Sequence, residues 1–134
     1  MRVLVAEALA EEGLSLLREE HTVDVKTDLS RDQFLAALPD YQALVVRSQV
    51  KVDEEAFKAG TGLVVVGRAG VGVDNIDLDA ATRAGVAVVN APTANTIAAA
   101  EHTVGLIYAL ARHIPAADAS VRAGEWKRAQ FMTF

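Results

Sequence analysis

The residues with the clearest chemical potential lie in a glycine-rich stretch, LVVVGRAGVGVDNID, at positions 63–77. An apolar run leads into three glycines, Gly67, Gly70 and Gly72, with Arg68 among them. Glycine-rich backbone after a strand exposes N–H groups that bind phosphates or carboxylates. Two chemistries are therefore open: the stretch holds the pyrophosphate of a dinucleotide, or it binds a smaller anion.

The dinucleotide alternative fits the spacing poorly. That motif requires G-x-G-x-x-G after the first strand of a unit, with an acidic residue about 20 positions further on. Gly70 and Gly72 supply the first two glycines, but Asn75 stands at the third position, and the preceding strand is the fourth predicted. The next strand ends in Asn90 rather than in an acidic residue. These departures favour a small-anion loop formed by residues 69–72, here called the glycine loop.

A second arginine extends this candidate site. Arg47 follows its apolar run in ALVVRS as Arg68 does in LVVVGR. Because the carboxyl ends of parallel strands meet at one edge of a sheet, we expect both arginines in one crevice. Each can make a bidentate, charge-assisted contact to an anion, and Ser48 and the amides of residues 90–95 add hydrogen-bonding groups. The alternative is that each arginine is solvated or pairs with an aspartate of VDNID.

The elements that position these residues follow from the hydrophobic pattern. Short apolar runs alternate with helical patterns, which predicts a parallel sheet with right-handed crossovers. The predicted strands cover residues 3–6, 23–25, 43–46, 63–66 and 86–89. Runs that are apolar throughout are typical of a sheet covered on both faces. We therefore expect an α/β fold with a flavodoxin-like, doubly wound, five-stranded parallel sheet in the order 2-1-3-4-5.

Local signals predict where the helices begin and end. Ser30 and Gln33 form a capping-box pattern, Asp53 begins another helix that Gly60 ends, and residues 78–84 form a short helix. The chain is helical in pattern from residue 95 to residue 124, where Pro115 kinks the helix or begins a second segment. We predict an α/β domain in residues 1–94 and a long connecting helix and tail in residues 95–134.

Composition excludes several classes of function. The 134 residues include no cysteine and carry a net charge of −5, which disfavours nucleic acid or an anionic membrane as the main partner. Glutamates interrupt the first apolar run too early for a signal peptide, and no run reaches the length of about 18 residues that a membrane span needs. Three scattered histidines predict no metal site. We expect a cytoplasmic protein.

Four motifs, in order, carry a resemblance to a known family. VVRSQVKVDEEAF, VVVGRAGVGVDNIDLDAATRAGVAVVNAP, NTIAAAEHTVGLIYALAR and GEWKRAQFM together resemble the D-2-hydroxyacid dehydrogenases over almost the whole chain. The resemblance implies an NAD-dependent oxidoreductase in which residues 1–94 bind substrate and residues 95–134 connect to a nucleotide-binding domain. That domain is absent from these 134 residues, so we expect this chain by itself to be inactive, with no catalytic residue and no bound NAD.

The resemblance also implies roles for individual residues. It assigns substrate binding to Arg47, Ser48, Arg68, Ala69, Gly70, Val71, Gly72, Asn95 and Arg128. The glycine loop would bind the substrate carboxylate and the arginines a phosphate, so the implied ligand is a small phosphorylated 2-hydroxy acid. Val71 stands where relatives contact the cofactor, often through a threonine. His102 and His113 are expected at a surface or interface rather than acting as a base.

Two alternatives stay open. One is a D-2-hydroxyacid dehydrogenase with an unphosphorylated substrate, and the other is a non-catalytic, flavodoxin-like binding or scaffold module.

The C-terminal region predicts self-association. Its large apolar residues occupy more than one helical face: Ile97, Leu106, Ile107, Tyr108, Leu110, Ile114, Trp126, Phe131 and Phe134. A contiguous apolar patch of this kind is uncommon on a soluble monomer. We therefore expect a homodimer formed through residues 95–134.

Overall fold

The computed structural model describes residues 1–132. The chain divides into two compact units, Met1–Ala94 and Asn95–Phe134.

The first unit is built on a five-stranded sheet in which every neighbouring pair of strands is parallel. The strands are β1 (Arg2–Val5), β2 (Thr22–Val25), β3 (Ala43–Val46), β4 (Val65–Arg68) and β5 (Ala87–Asn90). Their spatial order is β2-β1-β3-β4-β5, which confirms the predicted α/β fold and strand order. The helices between them are α1 (Glu11–Glu20), α2 (Arg31–Ala37), α3 (Glu54–Ala59) and α4 (Leu78–Ala84), with a 3₁₀ turn at Leu38–Asp40.

Both faces of the sheet are covered, which explains why the strands are apolar throughout. On one face Leu4, Leu44 and Val66 are fully buried in a cluster with residues of α2, α3 and α4. On the other face Val5 packs in a separate cluster with Leu14 of α1. The two clusters fix the sheet between the helices and leave its carboxyl edge to the loops.

The helix boundaries follow the local signals. Ser30 and Gln33 make both bonds of the capping box at α2. Asp53 caps α3 and Asp77 caps α4, each through its side-chain oxygen. The α4 helix ends at Gly85, whose φ of 69° lies in the left-handed region that favours glycine.

The structure places β4 later in the chain than the sequence pattern predicted. Leu63 belongs to a turn, in which its N–H donates to the carbonyl oxygen of Gly60 at 3.0 Å. The ladder with β3 instead continues to Arg68, which lies in register with Val46. Arg68 is therefore the last residue of its strand, whereas Arg47 follows the last residue of β3. The two arginines are not equivalent.

The second unit contains two helices, α5 (Thr96–Ala111) and α6 (Ile114–Arg122), and a 3₁₀ turn at Arg128–Phe131. The chain turns between the helices at His113, which has a positive φ of 52°. Pro115 lies in the first turn of α6, where its missing N–H removes no helical hydrogen bond. Pro115 thus begins a second segment. Of the helices within residues 1–132, none is both long and apolar enough to cross a membrane.

Candidate anion-binding site

The glycine loop is tied to the sheet through its carbonyl groups. The oxygen of Gly70 accepts a hydrogen bond at 3.0 Å from the backbone N–H that follows β5. The oxygen of Val71 accepts one at 2.6 Å from Nδ2 of Asn90, and the oxygen of Gly72 accepts one from the guanidinium of Arg68. Three consecutive carbonyls are thus satisfied by protein donors.

Two N–H groups of the same loop, unlike its carbonyl groups, have no hydrogen-bond partner among the described residues. The N–H groups of Val71 and Gly72 donate to no acceptor among residues 1–132, and both residues are exposed. Free N–H groups beside satisfied carbonyls present the positive ends of the peptide dipoles, which suits an anion. The geometry supports the interpretation of this loop as an anion-binding element.

The glycines of the loop provide space rather than unusual backbone angles. Neither Gly70 nor Gly72 has a positive φ. A Cβ atom at Gly72 would lie 2.7 Å from Oδ1 of Asp74 and 3.2 Å from Nη1 of Arg68, and one at Gly70 would also lie 3.2 Å from that nitrogen. Glycine at these positions lets the guanidinium lie against the loop backbone.

Arg68 is nearly buried, and the protein itself uses its donors. Its side chain is 10 % exposed. Nε donates to the carbonyl oxygen of Arg47 at 3.0 Å, and Nη2 lies 3.4 Å from Oδ1 of Asp74. Pairing with an aspartate of VDNID was the open alternative, and it is the one found here. Arg68 therefore joins the glycine loop to the loop of residues 47–50, here called the arginine loop.

Arg47 is placed differently. It is exposed, and its guanidinium has no hydrogen-bond or ion-pair partner among the residues that the structure describes. It lines a cavity of about 500 Å³ together with Ala69 of the glycine loop and residues of α1. Arg68 instead lies on the face of Val46, because residues in register share a face. Of the two arginines, only Arg47 has a guanidinium without a partner among the described residues. The placement of both in one ligand crevice stays a prediction.

Glu7, which was not among the predicted site residues, organises the arginine loop. Glu7 is 9 % exposed, and its carboxylate accepts backbone hydrogen bonds from Arg47 at 2.7 Å, Gln49 at 3.0 Å and Val50 at 3.1 Å. Burial raises the pKa of Glu7, but the backbone N–H groups lower it and prevail, so the pKa lies below its ordinary value. One signal was available: an acidic residue near the carboxyl end of a buried strand.

Asn75 is the second residue that was missed. Its Nδ2 donates to the carbonyl oxygens of Arg47 at 2.9 Å and Val50 at 2.7 Å. The arginine loop is thus held by an acceptor, Glu7, on its N–H groups and by a donor, Asn75, on its carbonyl groups. The residue that replaces the third glycine of the dinucleotide motif has a structural use in this site.

The remaining predicted site residues belong to both units of the chain. Ser48 lies in the arginine loop and is exposed. Asn95 and Arg128 belong to the second unit. Asn95 is the N-cap residue of α5 without a side-chain cap bond, and Arg128 lines a cavity with Trp126. Their assignment to substrate binding stays a prediction.

The glycine loop does not fit the pyrophosphate of NAD. Dinucleotide loops lead directly into a helix N-terminus, which contacts the phosphates. Here residues 73–77 intervene, and Asp77 caps α4 by accepting from the N–H of Ala80 at 2.8 Å. That carboxylate occupies the helix terminus and would repel a diphosphate. A contact between Val71 and another part of the cofactor stays a prediction.

Residues 3–133 match the family described as D-isomer specific 2-hydroxyacid dehydrogenase, catalytic domain. The chain belongs to this family.

Particular relatives are more informative than the family. The chain is 53% identical over 133 residues to the D-3-phosphoglycerate dehydrogenase of Archaeoglobus fulgidus, covering 98% of this chain and 25% of that protein. It therefore spans about a quarter of the length of that relative.

Solved structures show the same fold. The NAD+-bound 3-phosphoglycerate dehydrogenase of Entamoeba histolytica is 30% identical, with a TM-score of 0.72 over 84% of this chain and 39% of that one. A glyoxylate reductase from Paecilomyes thermophila is 26% identical, with a TM-score of 0.83 over 96% of this chain and 43% of that one.

Proposed function

We propose that the chain is the substrate-binding part of a cytoplasmic, NAD-dependent D-3-phosphoglycerate dehydrogenase. Such an enzyme oxidises 3-phosphoglycerate to 3-phosphohydroxypyruvate in L-serine biosynthesis. The observation that carries the proposal is the glycine loop, which has free N–H groups at Val71 and Gly72 and whose Ala69 lines a cavity with Arg47. The name of the Archaeoglobus fulgidus relative supports a phosphorylated substrate over other 2-hydroxy acids.

In this proposal the two loops bind the two ends of the substrate. The carboxylate accepts hydrogen bonds from the N–H groups of Val71 and Gly72, and the phosphate meets Arg47 and Ser48. Fixing both ends orients the C2 hydrogen, and such positioning lowers the entropic part of a reaction barrier. Oxidation removes a hydride from C2 and a proton from its hydroxyl. The loops described here supply neither acceptor, so we expect no turnover by this chain alone.

A second candidate is a D-2-hydroxyacid dehydrogenase with an unphosphorylated substrate. It is favoured by the internal use of Arg68, which leaves one free arginine where two were expected for a phosphate. The similarity to a glyoxylate reductase agrees with it. The two candidates differ in their preferred substrate.

The test is a chimera in which this chain replaces the matching quarter of the Archaeoglobus fulgidus enzyme. We expect NADH formation from 3-phosphoglycerate, with kcat/KM for D-glycerate lower by about tenfold or more, the scale of one lost charge-assisted contact. A preference for the unphosphorylated acid would support the second candidate. A folded chimera that binds NAD but turns over neither acid would favour a non-catalytic module.

A further inference from the structure

The arginine loop already contains an anion. Successive backbone N–H groups in a loop form a concave site that binds negative charge. In this loop the N–H groups of Arg47, Gln49 and Val50 all donate to one carboxylate, that of Glu7. The protein therefore fills the site with its own side chain.

The glycine loop at the next strand end is arranged in the opposite way. Its N–H groups at Val71 and Gly72 have no acceptor within residues 1–132. A substrate with two anionic ends thus meets one loop with free N–H groups at Val71 and Gly72. In the other loop, three N–H groups already donate to Glu7 and the Arg47 side chain has no partner among the described residues. In the proposed function, the substrate carboxylate therefore binds the glycine loop and the phosphate binds the side chains of the arginine loop.

We propose that Glu7 is a positioning residue, whose carboxylate holds the arginine loop so that Arg47, rather than the backbone of that loop, meets the substrate phosphate. The proposal rests on the proposed function. Asn75 completes the arrangement by donating to the carbonyl oxygens of Arg47 and Val50. Without the carboxylate, the loop N–H groups lose their common acceptor and become available to a competing anion.

The first measurement uses the 134-residue chain and its Glu7→Gln variant, followed by amide proton shifts in ¹H–¹⁵N spectra. A neutral amide cannot accept from all these donors, so the signals of Arg47, Gln49 and Val50 should move upfield together. Asp24→Asn is the matched control, because Asp24 is also an acceptor carboxylate but bonds to Arg2 and Tyr41 instead. Unchanged loop signals in Glu7→Gln would overturn the proposal.

The second measurement is binding of 3-phospho-D-glycerate and D-glycerate to the same proteins. We expect Glu7→Gln to weaken the phosphorylated acid by about tenfold and D-glycerate much less, with both affinities unchanged in Asp24→Asn. Equal weakening of both acids would mean that Glu7 only maintains the fold, and would overturn the positioning role. Restored selectivity in Glu7→Asp would support it.

Different results would contradict the proposed substrate and the positioning role of Glu7. If the wild-type chain prefers D-glycerate, the proposed substrate is wrong, and Glu7 is judged on the loop signals alone. If Glu7→Gln does not fold, acidification of the wild-type chain replaces it. The three loop signals should then move in one step at a pH below the ordinary pKa of a glutamate. Independent movement of the three signals would overturn the proposal.

Discussion

Arg47 and Arg68 end neighbouring apolar runs of the sequence, but the folded protein uses their guanidinium groups differently. Arg68 bonds to the carbonyl oxygens of Arg47 and Gly72 and lies near Asp74. Arg47 lines a cavity together with Ala69, and its guanidinium has no partner among the described residues. One arginine thus builds the site, and the other is available to a ligand.

Substituting each arginine separates these roles. Arg47→Gln should weaken 3-phosphoglycerate binding by about 1.5–3 kcal/mol, the scale of a charge-assisted contact, and leave the melting temperature nearly unchanged. Arg68→Gln should lower the melting temperature, because the carbonyl oxygen of Gly72 loses its donor and that of Arg47 keeps only Asn75. Calorimetry measures the affinity for 3-phosphoglycerate, with D-glycerate as the unphosphorylated control. Thermal unfolding measures the melting temperature. Equal losses for the two acids in Arg47→Gln would show that Arg47 does not bind the phosphate.

The candidate site was only partly predictable from the sequence. Strand ends and glycines are local signals, and they identified the glycine loop and Arg47. The partners of Glu7 lie 40 or more residues away in the chain, and no local pattern encodes such contacts. The roles of Arg68 and Asn75 depend on the same long-range geometry.

At the scale of elements, local chemistry determined most boundaries. The capping box at Ser30 and the caps at Asp53 and Gly85 are short-range and appear where the sequence indicates. The start of β4 depends instead on its register with β3, a tertiary feature that shifted the strand from its apolar run.

The cap of α3 leads to a prediction about pH. Burial raises the pKa of Asp53, but its bonds to Arg31 and to the N–H of Ala56 lower it and prevail. A carboxylate whose pKa is lowered in the folded protein stabilises the fold at pH values above its ordinary pKa, which is 3.8 for an aspartate. This contribution is lost as the pH falls through the lowered pKa of the folded state. Asp53→Asn keeps a capping oxygen but loses the ion pair with Arg31. It should therefore cost up to about 1 kcal/mol at neutral pH and flatten the acid limb of the stability curve.

Urea unfolding across the pH range measures this effect. Asp32→Asn, an exposed position in the first turn of α2, is the matched control and should leave the acid limb as in the wild type. An acid limb that is the same in Asp53→Asn and the wild type would contradict the assignment.

At the scale of the whole molecule, the second unit has little core of its own. No residue of α5 or α6 is buried, and Leu110 is 80 % exposed. Burying one large apolar side chain would contribute roughly 1.5–3 kcal/mol of favourable free energy, which an exposed side chain does not provide. Phe134, which was predicted to belong to this surface, lies outside the described residues.

We predict that this surface forms a twofold homodimer through residues 95–134. Sedimentation at micromolar concentration should show a dimer for the wild-type chain and a monomer for Leu110→Lys. Leu16→Lys is the matched control, because Leu16 is also an exposed apolar helix residue, at 67 %, but lies in α1. It should leave the dimer intact. A wild-type monomer whose Trp126 fluorescence reports a buried environment would contradict this prediction.

The central claim is that the glycine loop and Arg47 together bind a phosphorylated 2-hydroxy acid. Titration of the ¹⁵N-labelled chain with 3-phosphoglycerate, followed by ¹H–¹⁵N spectra, tests it most directly. The amide signals of Val71 and Gly72 should move most, with the same binding curve as the side-chain signal of Arg47. Shifts confined to another part of the chain, such as the cavity lined by Thr27 and Lys51, would contradict the claim.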